Sequence, residues 1–459
     1  MDASWLQFFI TIYGYGKLSS DIRKIKGEIT KNGNRNVKML KQLRRKLEIY
    51  SFKPLIDHEQ LSFQTTLSFE FPKICLFARS LTFLLLLIHA STPHYCCGNF
   101  YSINKLINMK NILVFGMGKV GSLVGILLNK RFEVNGFDKF LPAETLPFKV
   151  IQGDMQNTSL LNDLIPNYDT VVSCLPYNLN LPIAKIAHQH GVHYFDLTED
   201  VHTTDEIRKM AEQSTSVMAP QCGLAPGLIG IIGAELASRF EKLRDIELRV
   251  GALPRFPNGL LGYSFTWSPA GVINEYINDA EVINNGVRKM VPSLDGLESI
   301  NIEGRDYEAF STSGGLGTMC ETYEGKLDTL NYKTIRYPGH MKLMRFLLYE
   351  LIMKENRELA EKILTEAKPP VAEDVVHVYA VVEGWKTNGK LAREEYFKSF
   401  NPIEIDGQQW RAISWTTAAS LVSVIELVAD KKLPQKGFIK QEDIKFDDLL
   451  ATSNGRLFK

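Results

Sequence analysis

Three glycines at a fixed spacing are the residues whose types point most directly to chemistry. Gly116, Gly118 and Gly121 form a G-x-G-x-x-G pattern after an apolar run of strand length and before a run with helical periodicity. In that setting the first glycine permits a tight turn, the second lets the backbone approach a pyrophosphate, and the third lets the helix pack closely on the sheet. The phosphates would lie at the positive end of the helix, beside Lys119 and Val120. The pattern predicts a dinucleotide-binding site.

An acidic residue extends this pattern. The next strand-like segment, FEVNGF, ends at Asp138, where a carboxylate can accept hydrogen bonds from the adenosine ribose hydroxyls. Because a carboxylate there repels a 2′-phosphate, we expect NAD to be preferred over NADP. The alternative is an unrelated turn followed by a surface aspartate.

Strand-like and helix-like segments then alternate up to SVMAPQ at residues 216–221. This alternation predicts an α/β fold with a doubly wound parallel sheet of the Rossmann type, in which ligands bind beyond the carboxyl ends of the strands. That rule selects Asp154, the loop of Leu175, Pro176, Tyr177 and Asn178, the segment from Asp196 to Glu199, and the segment from Cys222 to Pro226. Among them, Asp154, Leu175 and Pro176 are predicted to contact the cofactor.

The alternation stops after the helix-like segment GLIGIIGAELASRF. Strand-like segments then follow one another (DIELRVGAL, GYSFTW, VVHVYAVVEGW with LAREEYFKSF), and MKLMRFLLYELIMKENRELAEKIL reads as helical. This order predicts a second α+β domain with a mixed or antiparallel sheet. The helix-like ISWTTAASLVSVIELVAD is expected to pack back on the first domain. The predicted divisions are 1–108, an extension outside the catalytic unit; 109–227, the nucleotide-binding domain; 228–406, the substrate and dimerisation domain; and 407–459, the returning segment.

The first 108 residues differ in composition from the rest. They carry 15 Lys and Arg against 7 Asp and Glu, although the whole chain has a formal net charge of only +1. Their apolar run from Ile74 to Ala90 is interrupted by Arg79 and is shorter than a membrane-spanning helix needs. We therefore expect no membrane anchor, with a membrane-proximal helix as the alternative. Because Met109 directly precedes KNILVFG, a common start of a Rossmann domain, we expect the functional polypeptide to begin at Met109.

Composition excludes several classes of protein. A chain that is 45% hydrophobic and 23% charged is globular, and its small net charge gives no pull toward nucleic acid. The six cysteines show neither a pairing framework nor metal-ligand spacing. These features predict a cytoplasmic protein without a metal site.

Several segments together resemble the saccharopine dehydrogenase and lysine 6-dehydrogenase family. They are GMGKVG, SCLPYNLN with HGVHYFDL, GLAPG at 223–227, GALP followed by GYSFTWSPAGV, AFSTSGGLGT at 309–318, and YKTIRYPGH at 332–340. The resemblance implies NAD(P)-dependent oxidation of a C–N bond of a lysine-derived amino acid, either saccharopine or lysine at its terminal amine. Saccharopine members usually carry an acid and an arginine where this chain has Ala225 and Ala270, so the substrate stays open between the two.

The resemblance and its chemistry imply roles for four side chains. A base must take the amine proton, and His340 is the candidate, unless it only packs in the interior. Tyr177 matches a pocket tyrosine of saccharopine members, although an aromatic after a proline can also cover an apolar edge. Asp196 could hold an ammonium group, or an Asp or Thr there could cap the next helix. Arg336 is the candidate clamp for a substrate carboxylate, or else part of a surface ion pair.

An amine-oxidising enzyme that takes a small amino acid and forms a homo-oligomer is therefore the leading hypothesis. The alternative is a non-catalytic NAD-binding sensor of the same fold. The absence of the acid and the arginine at Ala225 and Ala270 favours that alternative, and binding without turnover would identify it.

Overall fold

The computed structural model describes residues 109–459, so the expectations for residues 1–108, including the apolar run from Ile74 to Ala90, lie outside the described part. The first sheet is parallel throughout, in the order β17-β6-β5-β4-β1-β2-β3. Its strands are β1 (Asn111–Phe115), β2 (Glu133–Asp138), β3 (Lys149–Gln152), β4 (Thr170–Ser173), β5 (His193–Asp196), β6 (Val217–Ala219) and β17 (Gly437–Phe438). The predicted Rossmann sheet is confirmed.

Helices follow five of these strands, namely β1, β3, β4, β5 and β6. They are α1 (Gly121–Asn129), α2 (Thr158–Leu164), α3 (Asn180–His190), α4 (Val201–Ala211) and α5 (Leu228–Ala237). Helix α3 ends at Gly191, which has the left-handed φ of 62° typical of a helix C-terminus. Asp200 begins α4 by accepting the backbone N–H of Thr203 at 2.7 Å.

The second sheet is mixed, as predicted. Its order is β10-β11-β12-β7-β13-β14, with β12 and β7 parallel and the other neighbours antiparallel, while β8 and β9 branch off at β12. Its strands are β7 (Lys242–Pro254), β8 (Ala280–Asn284), β9 (Val287–Val291), β10 (Glu298–Ile302), β11 (Arg305–Ser311), β12 (Thr329–Arg336), β13 (Asp374–Trp385) and β14 (Leu391–Phe400). A short hairpin, β15 (Ile403–Ile405) and β16 (Gln408–Trp410), follows.

The remaining helices lie along the second half of the chain. They are α6 (Pro269–Ile277), α7 (Met319–Tyr323), α8 (His340–Arg345), α9 (Arg357–Ala367), α10 (Ala412–Ala429) and α11 (Phe446–Ala451). Helix α10 packs on α1 as expected from the sequence, and one hydrophobic core runs from the first sheet through α5 and α10 into the second sheet. Among the described helices, α10 alone is long and apolar enough to cross a membrane, but it is almost wholly buried in protein.

One predicted strand, GYSFTW, is wrong. Residues 262–267 form irregular chain in which Gly262 has a φ of 57°. Tyr263 and Phe265 are each 1% exposed and pack in the second core, so the alternation of apolar residues reflects anchoring of a loop. The backbone N–H of Phe265 bonds the carbonyl of Lys368 at 3.1 Å instead of a neighbouring strand.

The long helix predicted over residues 341–364 is interrupted. Helix α8 continues as one π-helical turn, Phe346–Glu350, and α9 begins only at Arg357. Ile352, between them, has a φ of 57°, which a right-handed helix cannot contain. Asn356 then starts α9 by accepting the N–H of Leu359 at 3.3 Å.

Candidate active site

The glycine pattern forms the turn between β1 and α1. Gly116 has a φ of 87°, and its N–H bonds the carbonyl of Phe137 at 2.9 Å. A Cβ on Gly121 would overlap the carbonyl oxygen of Gly116, so only glycine fits there. A Cβ on Gly118 would meet no atom within 4 Å. The backbone at Gly118 is therefore open to the approach of a ligand, as a dinucleotide loop requires.

Two cationic side chains lie at the start of α1. Lys119 is exposed, and partial burial and the charge of Arg411 both lower its pKa. Val120 directly precedes the helix, whose first backbone N–H groups have no partners within the helix. The N–H groups of Ser122 and Val124 bond the carbonyls of Gly118 and Val120, so this end of α1 offers a pyrophosphate the remaining N–H groups of the first turn together with positive charge. Arg411 was missed because it belongs to the returning segment, far away in the sequence.

Asp138 lies at the end of β2 as predicted, but its carboxylate is turned toward the backbone. Its two oxygens accept N–H groups of Met117 at 2.6 Å and Phe140 at 3.0 Å. Asp154 is held similarly, by the N–H of Gln156 at 2.9 Å and by an ion pair with Lys139 at 3.1 Å, and these two contacts lower the Asp154 pKa. Asp138 thus shapes the glycine loop, and the Lys139 ammonium stands at the same edge of the sheet.

The loop after β4 brings one predicted residue to the glycine loop. The Cδ2 of Leu175 would lie 3.0 Å from a Cβ on Gly116, so Leu175 covers that turn. Pro176 is exposed and precedes a short 3-10 helix, Tyr177–Leu179. The Tyr177 hydroxyl has no hydrogen bond to the described residues. Leu175 is placed for cofactor contact, and Tyr177 is partly exposed beside it.

Asp196 serves a different purpose from the one predicted. It is fully buried, and it accepts the Tyr194 hydroxyl at 2.7 Å and the N–H groups of Thr198 at 2.9 Å and Gln221 at 3.0 Å. Burial raises its pKa to about 6. These contacts tie together the chain leaving β5 and β6. They fit neither an ammonium ligand nor a helix cap, since the cap of α4 is Asp200.

Arg336 and His340 are linked through a tyrosine inside the second domain. The Arg336 Nε donates to the Tyr276 hydroxyl at 2.9 Å, and the Tyr276 hydroxyl lies 3.1 Å from the His340 Nε2. The Nδ1 of His340 is 3.0 Å from the carbonyl of Leu261, so Nδ1 carries the proton and Nε2 accepts from Tyr276. Tyr276 was not a candidate site residue from the sequence, because nothing there distinguishes it from an aromatic residue of the core.

The base role predicted for His340 does not fit this arrangement. The residue is 0% exposed, and burial, followed by the charge of Arg336, lowers its pKa to about 3. A histidine that stays neutral and has both nitrogens engaged accepts no substrate proton near neutral pH. His340 instead fixes Tyr276, and through it Arg336.

Arg336 is not part of a surface ion pair. Its guanidinium is buried, donates from Nη1 to the carbonyl of Ile335 at 2.9 Å, and lies 4.5 Å from the centre of the Tyr263 ring. It forms no ion pair with a described residue, and neighbouring Tyr263, Tyr276 and Glu275 keep its pKa above the usual value despite burial. A buried, fixed guanidinium without an acidic partner is suited to a ligand carboxylate.

Two glutamates lie in the same region, one from each domain. Glu199 follows β5 in the nucleotide-binding domain, and Glu275 lies on α6 of the second domain. Glu275 is affected electrostatically by both Glu199 and Arg336. The rule on strand ends had selected the segment containing Glu199, but no sequence pattern pointed to Glu275. Glu199 thus belongs to the edge where the strands of the first sheet end, and Glu275 connects it electrostatically to Arg336.

Comparison with known families agrees with this architecture. Residues 112–219 match the saccharopine dehydrogenase NADP binding domain, and residues 223–454 match the saccharopine dehydrogenase C-terminal domain. The chain belongs to the saccharopine dehydrogenase family. The expected family is confirmed, whereas the expected preference for NAD is not, because the matching domain is described as NADP binding.

Relatives within the saccharopine dehydrogenase family are distant. Mitochondrial alpha-aminoadipic semialdehyde synthase of Rattus norvegicus is 25% identical over 359 residues, which cover 71% of this chain and 36% of the relative. Saccharopine dehydrogenase [NADP(+), L-glutamate-forming] of Schizosaccharomyces pombe is 24% identical over 209 residues, 42% of this chain and 46% of the relative. The chain thus spans between a third and a half of these relatives.

A solved member of the family shares the fold. Apo saccharopine dehydrogenase (L-Glu forming) from Saccharomyces cerevisiae is 16% identical, covers 74% of this chain and 97% of its own, and superposes with a TM-score of 0.61. The two alanines at which the sequence departs from the pattern expected of saccharopine members lie before or at the start of helices. Ala225 lies in the loop before α5, and Ala270 lies in the first turn of α6.

A dinucleotide fits the donor set of the first domain. The open backbone at Gly118, the start of α1, and the Lys119 and Arg411 cations would hold its phosphates, while Leu175 would contact it from the neighbouring loop. The predicted cofactor residues thus meet at one edge of the sheet, with Asp138 and Asp154 shaping that edge. Of the predicted catalytic residues, only Tyr177 and Arg336 keep groups that a substrate could use.

Proposed function

We propose that this chain is a dehydrogenase that oxidises a C–N bond of a lysine-derived amino acid. Saccharopine is the first candidate and lysine the second. The names of the relatives support chemistry of this kind, since they include a saccharopine dehydrogenase and an alpha-aminoadipic semialdehyde synthase. Because the chain spans less than half of these relatives, its own activity needs direct measurement.

The observation that carries this proposal is the charge pattern of Arg336, Glu275 and Glu199. Arg336 is a buried cation without an ion-pair partner among the described residues, Glu275 lies within electrostatic reach of it, and Glu199 lies next to Glu275. An amino acid carries a carboxylate, which the guanidinium can bind, and an amine, which a carboxyl group can hydrogen-bond or deprotonate. A hydroxy acid or a sugar offers no amine for the two glutamates.

We propose NADP as the cofactor. The match to an NADP binding domain supports it, and so does the geometry at the end of β2. Both oxygens of Asp138 accept backbone N–H groups, which partly offset the negative charge that would repel a 2′-phosphate. The adjacent Lys139 ammonium is exposed and could pair with that phosphate.

In this proposal each residue has a defined task. Arg336 holds a substrate carboxylate, with its direction fixed by Tyr276 and His340. The partly exposed Tyr177 is free to donate to the substrate from the nucleotide side. A bound nicotinamide dinucleotide supplies the hydride acceptor.

The decisive experiment uses the full chain and measures the formation of reduced nicotinamide dinucleotide by its absorbance. NAD and NADP are tested separately with saccharopine and with lysine, and glutamate release is measured in parallel. We expect reduced NADP and glutamate from saccharopine. Turnover of lysine alone would identify lysine, oxidised at its terminal amine, as the substrate. Dinucleotide binding without turnover of either amine would overturn the proposal in favour of a sensor.

A further inference from the structure

Glu199 lies against the first turn of α6, across the boundary between the two domains. A Cβ on Gly271 would come 3.0 Å from the Glu199 Oε1, and a Cβ on Gly314 would overlap the Glu199 carbonyl oxygen. These glycines leave the room that Glu199 occupies. Next to it, the Asn274 amide donates to Asp200 at 3.4 Å and joins the two domains at this point.

Glu275 follows Gly271 by one helical turn, so both lie on the same face of α6. It is 7% exposed, and its carboxyl has no hydrogen bond or ion pair with any described residue. Its own carbonyl accepts the N–H of Ser313 at 3.0 Å, which fixes the backbone here. Burial this deep disfavours the charged form of the carboxyl, so Glu275 favours a proton or a charged ligand.

The surroundings favour the protonated forms of both acids. Burial, with smaller contributions from Asp200 and Asp196, raises the pKa of Glu199 to about 7. Burial and the charge of Glu199 raise the pKa of Glu275 well above its ordinary value, while Arg336 opposes that rise. The other titratable neighbours are Tyr263, Tyr276 and Tyr332, all buried, and His340, which stays neutral.

We propose that Glu199 and Glu275 form the proton-accepting pair of the active site, in which Glu199 takes the proton of the substrate amine and Glu275 stays protonated as a hydrogen-bond donor. This inference rests on the proposed function. The ammonium gives one N–H proton to the Glu199 carboxylate, and the freed lone pair forms the C=N bond. A bound oxidised nicotinamide dinucleotide would accept the C–H electron pair and the hydrogen as hydride.

The positions of Glu199 and Glu275 explain why the sequence alone did not identify Glu199 as the base. Glu199 and Glu275 are 76 positions apart, and neither belongs to a motif of charged residues. Glu199 is partly exposed and thus reachable by a substrate, whereas Glu275 lies deeper. This division suits one group that exchanges protons and one that stays protonated.

The kinetic test compares the wild-type chain with Glu199→Gln and Glu275→Gln. The wild-type rate at saturating substrate should rise with pH up to about 7 and then level off, because the base must be ionised. Glu199→Gln should lose roughly 100-fold or more in kcat and should lose this rise. Glu275→Gln leaves Glu199 in place, so its kcat, whatever its size, should still rise with pH up to about 7. A Glu199→Gln chain that keeps the rate and its rise overturns the proposal.

A measurement without cofactor or turnover tests the proton separately. A carboxyl whose pKa is raised by folding destabilises the folded chain as pH rises from about 4.5 toward its folded pKa of about 7, because the unfolded chain releases its proton in that range while the folded chain keeps it. The melting temperature of Glu199→Gln should therefore gain several degrees on the wild type between about pH 5.5 and about pH 8. If the melting temperatures of Glu199→Gln and the wild type differ by the same amount at both pH values, the proposal of a proton-holding pair is overturned.

The control is Glu206→Gln on α4, whose carboxylate pairs with Lys209 at 2.7 Å on the surface. Glu206→Gln should leave the pH profile of kcat unchanged. It should also not shift the pH dependence of the melting temperature in the direction expected for Glu199→Gln. If the wild-type chain oxidises no tested amine, the proposed function fails and the base role fails with it. A pH-dependent melting difference in that case still supports a proton-holding pair, and its absence overturns the pair as well.

Discussion

At the scale of single residues, Gly118 and Gly121 differ although both belong to one motif. A Cβ on Gly121 has no room beside the carbonyl of Gly116, whereas a Cβ on Gly118 meets only open space. Fold and ligand binding are therefore controlled by different glycines of the same turn.

We expect Gly118→Ala to melt close to the wild type but to bind NADP about tenfold or more weakly, because its methyl group fills the space that the pyrophosphate approaches. Gly121→Ala should lower the melting temperature markedly. Fluorescence titration with the reduced cofactor gives the affinities, and thermal unfolding gives the stabilities. Unchanged affinity in Gly118→Ala would contradict the assignment of this loop.

His340 makes the fold sensitive to acid. Its pKa falls from the ordinary 6.5 to about 3 on folding, so the unfolded chain takes up a proton first as pH falls. This stability is complete above about pH 6.5 and should decrease by about 2 kcal/mol by about pH 5. His340→Gln cannot titrate, so its unfolding free energy should lack this acid-dependent loss.

The matched control for this prediction is His190→Gln, at the exposed end of α3. It should keep the acid-dependent loss of the wild type. Urea unfolding at several pH values measures both variants. A His340→Gln chain with the wild-type pH dependence would show that the histidine is not the source.

At the scale of elements, the hydrophobic pattern predicted the strands of the first domain, but it did not predict which side chains meet in the folded chain. The alternating segments of the first domain gave correct strands because each is apolar, short and bounded by turns. GYSFTW has the same alternation, but Tyr263 and Phe265 anchor a loop, and periodicity alone does not tell these cases apart. Glu275 and Arg336 became candidates together only when β12 and α6 were placed side by side.

The interruption of the predicted helix at Ile352 is another feature that the hydrophobic pattern does not reveal. Residues 341–364 have the composition of one helix, yet the chain takes a left-handed turn at a β-branched residue that is 57% exposed. Such a conformation is unfavourable for isoleucine and easy for glycine.

Ile352→Gly should therefore stabilise the protein by about 1 kcal/mol, measured by urea unfolding. Leu351→Gly is the control, because Leu351 is also exposed but has an ordinary φ of −83°. That variant should gain no stability. If both variants lose stability equally, strain at Ile352 is not relieved by glycine.

At the scale of the whole molecule, Asp374 joins the two domains. It is fully buried at the start of β13 and accepts the N–H groups of Ala412 at 2.6 Å and Ile413 at 2.9 Å, which begin α10. Helix α10 in turn packs on α1 beside the dinucleotide loop. One carboxylate thus connects the second sheet to the helix that supports the first domain.

Asp374→Ala should cost about 2 to 4 kcal/mol, because it removes a helix cap and leaves two buried donors without acceptors. Asp374→Asn keeps one acceptor and should cost less. Asn356→Ala, which removes the exposed cap of α9, should cost about 1 kcal/mol or less. Urea unfolding followed by circular dichroism ranks the three, and an Asp374→Ala cost no larger than that of Asn356→Ala would contradict the link.

The seventh strand of the first sheet, β17, comes from the end of the chain and pairs in parallel with β6 at the sheet edge. Together with α10, it means that the nucleotide-binding domain is interrupted in the gene by the entire second domain. During translation the first six strands leave the ribosome long before the segments that cover their edge and their helix. The exposed edge strand and the uncovered face of α1 must therefore be protected from aggregation, by chaperones or by rapid folding of the intervening domain, until synthesis is finished.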